Sequence, residues 1–182
     1  MRILILFLIA LFFAIGGCAK APPPPEPSLP TTATIKDIME SMVDPSADFL
    51  FESIVTVADE KGITEKAPET DEEWHEVRDR AITLVEAPNL IVMEGRMVAR
   101  PGAKAEEPRV ELEPGQIQKL INADRPRFID RAKALQDAAT VALSAIDHKD
   151  KKALFEALTE IDKACENCHL EYWYPNDKQS TK

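Results

Sequence analysis

Glycine, cysteine and histidine are scarce in this chain of 182 residues, which contains only six glycines, three cysteines and three histidines. We find no run that alternates apolar and polar residues, the pattern of a half-buried strand, and no internal repeat. These absences count against a β-sheet fold and leave a helical domain as the expectation. Positive charge is also short, because 22 Lys and Arg face 32 Asp and Glu and the net charge is −10. Nucleic-acid phosphates would repel such a chain, so we expect no nucleic-acid partner.

The longest hydrophobic run is too short for a comfortable membrane-spanning helix and lies at the start of the chain. It extends over the 13 residues Ile3–Ile15, which is the length of the apolar part of a secretory signal. The run ends in the letters IGGC at Cys18, which look like a bacterial lipoprotein box. We therefore expect residues 1–17 to be a lipoprotein signal peptide and Cys18 to become the acylated N-terminus. An ordinary secretory signal followed by an unrelated cysteine is the alternative.

Proline dominates the segment after Cys18. Residues 19–30 read AKAPPPPEPSLP and hold six prolines, which exclude a helix or strand interior. A polyproline segment of this length extends about 35 Å, so residues 18–33 are expected to form an acylated tether. This predicts a protein anchored by lipid on the periplasmic side of a bacterial membrane, with the outer membrane favoured because Ala19 rather than an acidic residue follows the cysteine. Lipidation also accounts for the odd number of cysteines.

Helix start signals divide the remaining residues. Thr34 and Thr70 each begin a capping box, with Asp37 and Glu73 as the third helical residues. Asp150 can cap a last helix. The helices are expected at residues 35–60, 71–98, 116–147 and 151–173, with a polar tail at 177–182.

Prolines and a long loop interrupt this helical pattern. Pro45, Pro88 and Pro126 fall within the first three expected helices and should disturb them. Residues 99–115 contain three prolines and two glycines, and we expect them to form a long loop of the kind that is usually functional or mobile. Four long helices in sequence predict an all-α fold, a four-helix bundle over residues 34–176.

The last expected helix carries two of the three cysteines on its apolar face. Spacings of four and three residues connect its apolar positions, as on a buried helix face. These positions are Leu154, Leu158, Ile161, Cys165, Cys168 and Tyr172. His169 lies on the same side, four residues after Cys165. Whatever the cysteines bind is therefore expected inside the bundle.

Four chemistries could use two cysteines and a histidine in this arrangement. A redox pair usually lies at a helix N-terminus, a zinc site needs a fourth ligand although His75 and His148 stand alone, and a disulfide within one helical turn is geometrically awkward. The letters CENCH, which begin at Cys165, match instead the Cys-x-x-Cys-His signature of haem attachment. In that chemistry two thiols join the vinyl groups and the imidazole coordinates the iron. We therefore expect one covalent haem c on Cys165, Cys168 and His169.

A helical bundle with this motif on its last helix resembles the class II c-type cytochromes, the cytochrome c-prime family and its low-spin relatives. CENCHLEY matches the family's Cys-x-x-Cys-His-x-x-Tyr ending, with Tyr172 in the last position, and the resemblance covers residues 33–174. The family often has a basic residue after this tyrosine, where this chain has Trp173. The resemblance implies a distal residue on the first helix. An apolar residue there leaves the iron open to small gases, whereas a methionine closes it and gives an electron carrier.

Two methionines occur on the first expected helix, in the stretch IKDIMESMV. Met39 continues an inward stripe from Ile35 and lies early in the helix, where the family has its distal residue, so it is favoured as the iron ligand. Met42 is the alternative, because Pro45 changes the helix phase just after both. Methionine is also a common gap-filler in cores, so a packing role for both is the third interpretation.

The resulting hypothesis is a lipid-anchored monohaem cytochrome c with His/Met-ligated iron, which transfers electrons outside the cytoplasm and is not an enzyme. Its partners would be redox proteins, basic ones if charge contributes, and a homodimer is compatible with a family in which dimers are common. A five-coordinate haem protein that binds NO or CO as a sensor or scavenger is the second hypothesis. A haem-free helical lipoprotein with a structural or zinc-binding role is the third.

Overall fold

The computed structural model of this chain describes residues 30–59 and 62–175. The chain divides into two units, Met1–Pro30 and Thr31–Lys182, and every helix and strand reported below belongs to the second unit. The expected signal peptide, Cys18 and most of the expected tether lie outside the described residues, as does the expected polar tail.

The described residues are mostly helical, which confirms the all-α class in its broad sense. The helices are α1 (Ile35–Ile38), α2 (Asp44–Ser53), α3 (Asp71–Ile91), α4 (Pro114–Ala123), α5 (Arg125–Asp147) and α6 (Lys151–Tyr172). A π-helical segment (Met39–Val43) joins α1 to α2, and the strands β1 (Val55–Asp59) and β2 (Gly62–Lys66) pair as an antiparallel hairpin.

The first helical region begins at the expected capping box. The Thr34 hydroxyl accepts the backbone N–H of Asp37, and the Asp37 carboxylate accepts the backbone N–H of Thr34. The region widens into the π-helical segment just before Pro45, because proline has no N–H to donate to the carbonyl four residues back. The N–H of Asp44 donates instead to the carbonyl of Met39, five residues back. The helix phase therefore changes within the segment that carries both methionines.

The expectation that this helix continues to residue 60 is wrong, because α2 ends at Ser53 and a hairpin follows. Ile54 is extended, with φ −131° and ψ 109°. Val55 and Thr56 are β-branched and fit a pleated strand better than a helix. Gly62 opens the returning strand with φ 124°, a conformation that glycine adopts readily. The strands are too short for a clear alternation, so the sequence pattern did not predict the hairpin.

The second expected helix begins as predicted. The Thr70 hydroxyl accepts the N–H of Glu73, and the Glu73 carboxylate accepts the N–H of Thr70. Pro88 lies inside α3 without ending it, but α3 stops at Ile91 rather than at residue 98. Gly95, with φ 77°, makes a left-handed turn soon afterwards. The long loop therefore begins earlier than the sequence pattern predicted.

The third expected helix is divided at Asp124 into α4 and α5, close to the predicted break at Pro126. Asp124 accepts the N–H of Arg127 and caps α5, while Pro126 occupies the first turn, where a missing N–H costs nothing. Asp150 accepts the N–H of Ala153 and caps α6, as predicted. These helix boundaries depend on capping and proline residues close to them in sequence, so the sequence predicted their approximate positions.

The helices pack side by side around a shared core. α6 packs on α5, α5 packs on α3, and α3 packs on α2 and the π-helical segment, while α2 also reaches α6. Leu50, Leu154 and Ile161 are fully excluded from solvent. Ala139 and Ala142 of α5 are also fully buried, and their small side chains let neighbouring helices approach closely. This packing brings the π-helical segment and the end of α6 to one cavity.

Candidate functional site

A cavity of about 370 Å³ lies between the π-helical segment and helices α1, α2, α3, α5 and α6. Its volume is within the range typical of pockets for small molecules and cofactors. The walls are mainly apolar, with Phe51 from α2, Pro88 and Ile91 from α3, and Phe128 and Leu135 from α5. Such walls favour a largely apolar ligand, because binding removes apolar surface from water.

The residues expected to attach haem all line this cavity. Cys165, Cys168 and His169 occupy the last turns of α6 and are partly buried. Their spacing explains the arrangement, because residues three and four apart lie on the same face of a helix. Both cysteines are free thiols, with no disulfide between them. Helix α6 therefore presents two thiols and an imidazole to one apolar space.

The two thiols lie in surroundings that disfavour ionisation. Burial raises the pKa of Cys165 to about 11, with a smaller contribution from the carboxylate of Asp162, and raises the pKa of Cys168 to about 12. A redox-active cysteine has a lowered thiol pKa, so these surroundings do not favour the redox-pair interpretation. The neutral thiols keep the S–H that addition across a vinyl group consumes.

The imidazole of His169 is partly buried near the end of α6. Burial lowers its pKa, although the carboxylates of Asp44 and Glu166 act in the opposite direction. A lowered pKa favours the neutral ring, which is the form that binds a metal. Its Nδ1 lies 3.2 Å from the hydroxyl of Tyr174, and its ring centroid is 6.3 Å from that of Trp173.

The two candidate methionines differ in position. Met39 lines the cavity together with Ile35 and Val43. Met42 is partly buried against the core and is not among the lining residues. The wide turn of the π-helical segment explains the difference, because it places Met39 and Val43 on the cavity side. The structure therefore brings Met39, and not Met42, to the cavity with the two cysteines and the histidine.

Three charged residues that sequence reasoning missed also line the cavity. They are Asp44, Asp48 and Arg131. Burial raises the pKa of Asp44, and the Nε of Arg131 is paired with Oε2 of Glu171 at 2.5 Å. Arg131 follows Phe128 by three residues, so helical spacing could have placed it on the same face. The cavity walls are therefore mainly apolar but also carry charged side chains.

The other two histidines lie elsewhere. His75 is exposed, with its Nε2 3.7 Å from Asp79. His148 ends α5, with its Nδ1 2.7 Å from the carbonyl of Ser144. Neither lines the cavity, so neither is placed to join the cysteines as a ligand. Ala132 of α5 does line it and leaves space there because its side chain is small.

The long loop connects two of the elements that form the cavity. The N–H of Ile35, at the start of α1, donates to the carbonyl of Met97 at 2.9 Å. Further along the loop, the N–H of Leu112 donates to the carbonyl of Trp173 at 2.8 Å. One segment thereby holds both the beginning of the first helical region and the end of α6.

The donor set of the cavity fits a covalently attached haem. Cys165 and Cys168 lie one helical turn apart, and the imidazole of His169 directly follows the second thiol. Met39 offers a thioether, and most of the other wall residues are apolar, as a macrocycle ligated by one His and one Met would need.

Comparisons with protein-family models, with curated proteins and with solved structures found no match to this chain. A functional conclusion therefore rests on the residues of the cavity. Among the helices of the described residues, none combines the length and the apolar character that crossing a membrane requires.

Proposed function

We propose that this chain is a lipid-anchored, monohaem c-type cytochrome of the class II kind, which transfers electrons outside the cytoplasm. Its four-helix bundle would consist of the α1–α2 region, α3, α5 and α6, with α4 as an additional helix before α5. One observation carries the proposal: Cys165, Cys168, His169 and Met39 line a single cavity with mainly apolar walls.

The residues of α6 would hold the haem. Cys165 and Cys168 would each hold one vinyl group, because a thiol can add across the double bond with sulfur on one carbon and hydrogen on the other. Burial lowers the pKa of His169, which favours the neutral ring whose nitrogen lone pair would serve as the proximal ligand. Bound haem c supplies a one-electron ferric/ferrous couple.

Met39 would offer the second axial ligand from the π-helical segment. A thioether is a soft ligand that favours the ferrous state and raises the potential. Ile35 and Val43 beside Met39 make this part of the wall apolar, which keeps water from competing for the position. Two protein ligands suit an electron carrier, because little rearrangement accompanies the change of oxidation state.

The proposed location and partners of the protein are based on its sequence. Acylation of Cys18 would hold the domain at a membrane surface through the proline-rich tether. The net charge of −10 favours redox partners with basic surfaces, because opposite charge accelerates encounter.

Expression in a bacterial host with the machinery for c-type haem attachment tests the proposal. We expect a band that stains for haem peroxidase activity on a denaturing gel, and a low-spin visible spectrum in both oxidation states. Cys165→Ala combined with Cys168→Ala should abolish the stain. Cys18→Ser removes the third cysteine and should keep the stain, so it is the matched control.

Two results would contradict this function. A wild-type protein without a Soret band, or a stained band in the double-alanine variant, would exclude covalent haem on these cysteines. A high-spin wild-type spectrum that changes with carbon monoxide would keep the haem and replace electron transfer by the gas-binding hypothesis.

A further inference from the structure

The chain reverses direction at the end of α6 and brings Tyr174 back beside His169. The carbonyl of His169 accepts two backbone N–H groups, from Trp173 at 2.7 Å and from Tyr174 at 2.9 Å. The second bond spans five residues and closes the helix with a wide turn. As a result, the rings of His169 and Tyr174 pack edge to face with centroids 5.7 Å apart.

The Tyr174 hydroxyl bridges two side chains of α6. Its oxygen lies 3.0 Å from Oε2 of Glu166 and 3.2 Å from Nδ1 of His169. Glu166 and His169 are three residues apart and therefore neighbours on the helix surface. The three side chains form a continuous hydrogen-bonded chain, and all of them are partly buried.

The chemistry of the three groups sets the direction of these bonds. A carboxylate only accepts hydrogen bonds, so the tyrosine O–H donates to Glu166. The hydroxyl oxygen can then accept a hydrogen bond, and the Nδ1–H of His169 lies within reach to donate one. This tautomer leaves the lone pair on the other ring nitrogen, Nε2.

We propose that Tyr174 and Glu166 are positioning residues for the proximal ligand. They hold His169 in the Nδ1–H tautomer, fix its ring orientation and draw its Nδ1 proton towards the carboxylate. This inference rests on the function proposed above, in which His169 ligates haem iron. Partners of this kind orient metal-binding histidines and make them stronger electron donors.

A stronger donor stabilises ferric iron more than ferrous iron, so the hydrogen-bonded chain lowers the midpoint potential. Tyr174→Phe keeps the aromatic ring but removes the hydroxyl. We expect it to shift the ferric/ferrous equilibrium towards ferrous by about tenfold, the same order as the smaller losses of metal affinity that follow removal of such partners. Tenfold corresponds to a rise of about 59 mV for a one-electron couple.

Two further variants separate this role from general packing. Glu166→Gln keeps an acceptor for the tyrosine but removes the charge, so it should raise the potential less than Tyr174→Phe does. The charge of Glu166 also acts directly on His169, so the double variant can shift the potential further than Tyr174→Phe alone does. Its shift should nevertheless be smaller than the sum of the two single shifts, because part of the effect of Glu166 reaches His169 through Tyr174. Glu160→Gln removes an exposed acid of the same helix that pairs with Lys163, and its potential should match the wild type.

NMR provides a second measurement, which observes the Nδ1 proton of His169 directly. In the reduced protein, with carbon monoxide added if the iron is high-spin, the haem is diamagnetic and NMR can observe the ring N–H of His169. We expect an Nδ1–H signal that exchanges slowly with solvent in the wild type and clearly faster in Tyr174→Phe. A role limited to packing would not change this exchange rate selectively.

The potential and the proton exchange rate of these variants test the role of Tyr174 separately from the proposed function. Unchanged potential and proton exchange in Tyr174→Phe would overturn the inference, as would a double variant whose shift equals the sum of the single shifts. Either result leaves the haem stain and spectrum intact, so the proposed function would stand. A wild-type protein without covalent haem would overturn both.

Discussion

The backbone N–H of Leu112 donates a hydrogen bond to the carbonyl of Trp173, with 2.8 Å between nitrogen and oxygen. Trp173 directly follows α6, and the loop that contains Leu112 also accepts the N–H of Ile35 at the start of α1. The loop therefore links the two elements that carry the candidate axial ligands. We therefore expect this link to contribute to the stability of the folded protein.

Leu112→Pro should loosen this link, because proline has no N–H to donate. We expect the free energy of unfolding of the haem-loaded protein to fall by about 1–3 kcal/mol, the range for leaving a partly buried carbonyl without its partner. Denaturant unfolding measures it. Arg100→Gln is the control, because Arg100 is exposed in its 2.8 Å ion pair with Asp37 and exposed ion pairs contribute about 0–1 kcal/mol. Equal losses in both variants would contradict the link.

Met39→Ala should change the axial coordination, because Met39 lines the cavity. The expected result is a high-spin spectrum, binding of carbon monoxide and a lower midpoint potential. Met42→Ala is the matched control, since Met42 packs against the core outside the cavity. It should keep the low-spin spectrum and reduce stability by about 2 kcal/mol, the low end for a buried methionine. Exchanged phenotypes would identify Met42 as the ligand.

Asp37 should make stability depend on acidic pH. The backbone N–H of Thr34, followed by Arg100, lowers the pKa of Asp37 from 3.8 to about 2. A carboxyl group whose pKa is lower in the folded state stabilises that state fully above its unfolded value and loses this contribution as the pH falls. The stability difference between wild type and Asp37→Asn should therefore be constant above about pH 5 and shrink between about pH 4 and pH 2.

Denaturant unfolding at several pH values across this window measures that difference. Asp130→Asn removes an exposed acid of α5 and provides a comparison with the same change in charge. If the stability differences of the two variants follow pH in parallel, the cap at Thr34 is not the cause.

Cys18→Ser should release the protein from membranes. The acyl chains of a lipoprotein hold firmly because each buried methylene contributes about 0.8 kcal/mol. Fractionation by ultracentrifugation, followed by haem staining, measures the distribution. A serine variant that still sediments with membranes would show that Cys18 is not the anchor.

Local chemistry made much of the fold predictable. The capping boxes at Thr34 and Thr70 and the caps at Asp124 and Asp150 act within a single helical turn, so their residues identify helix starts without distant contacts. The hairpin after Ser53 was not predictable in this way. Its two short strands are stabilised by pairing with each other, and the sequence of one strand alone does not indicate that pairing.

The sequence by itself determined that Cys165, Cys168 and His169 share one side of the last helix, since spacing within an unbroken helix sets the relative direction of its side chains. Only the tertiary structure decided that Met39 rather than Met42 lines the cavity. The π-helical segment alters the direction in which side chains point relative to the flanking α-helical turns. A sequence pattern that assumes 3.6 residues per turn does not reveal this change. The contact of Tyr174 with His169 was decided in the same way. It arises where the chain reverses beyond the end of α6, so no helical spacing leads to it.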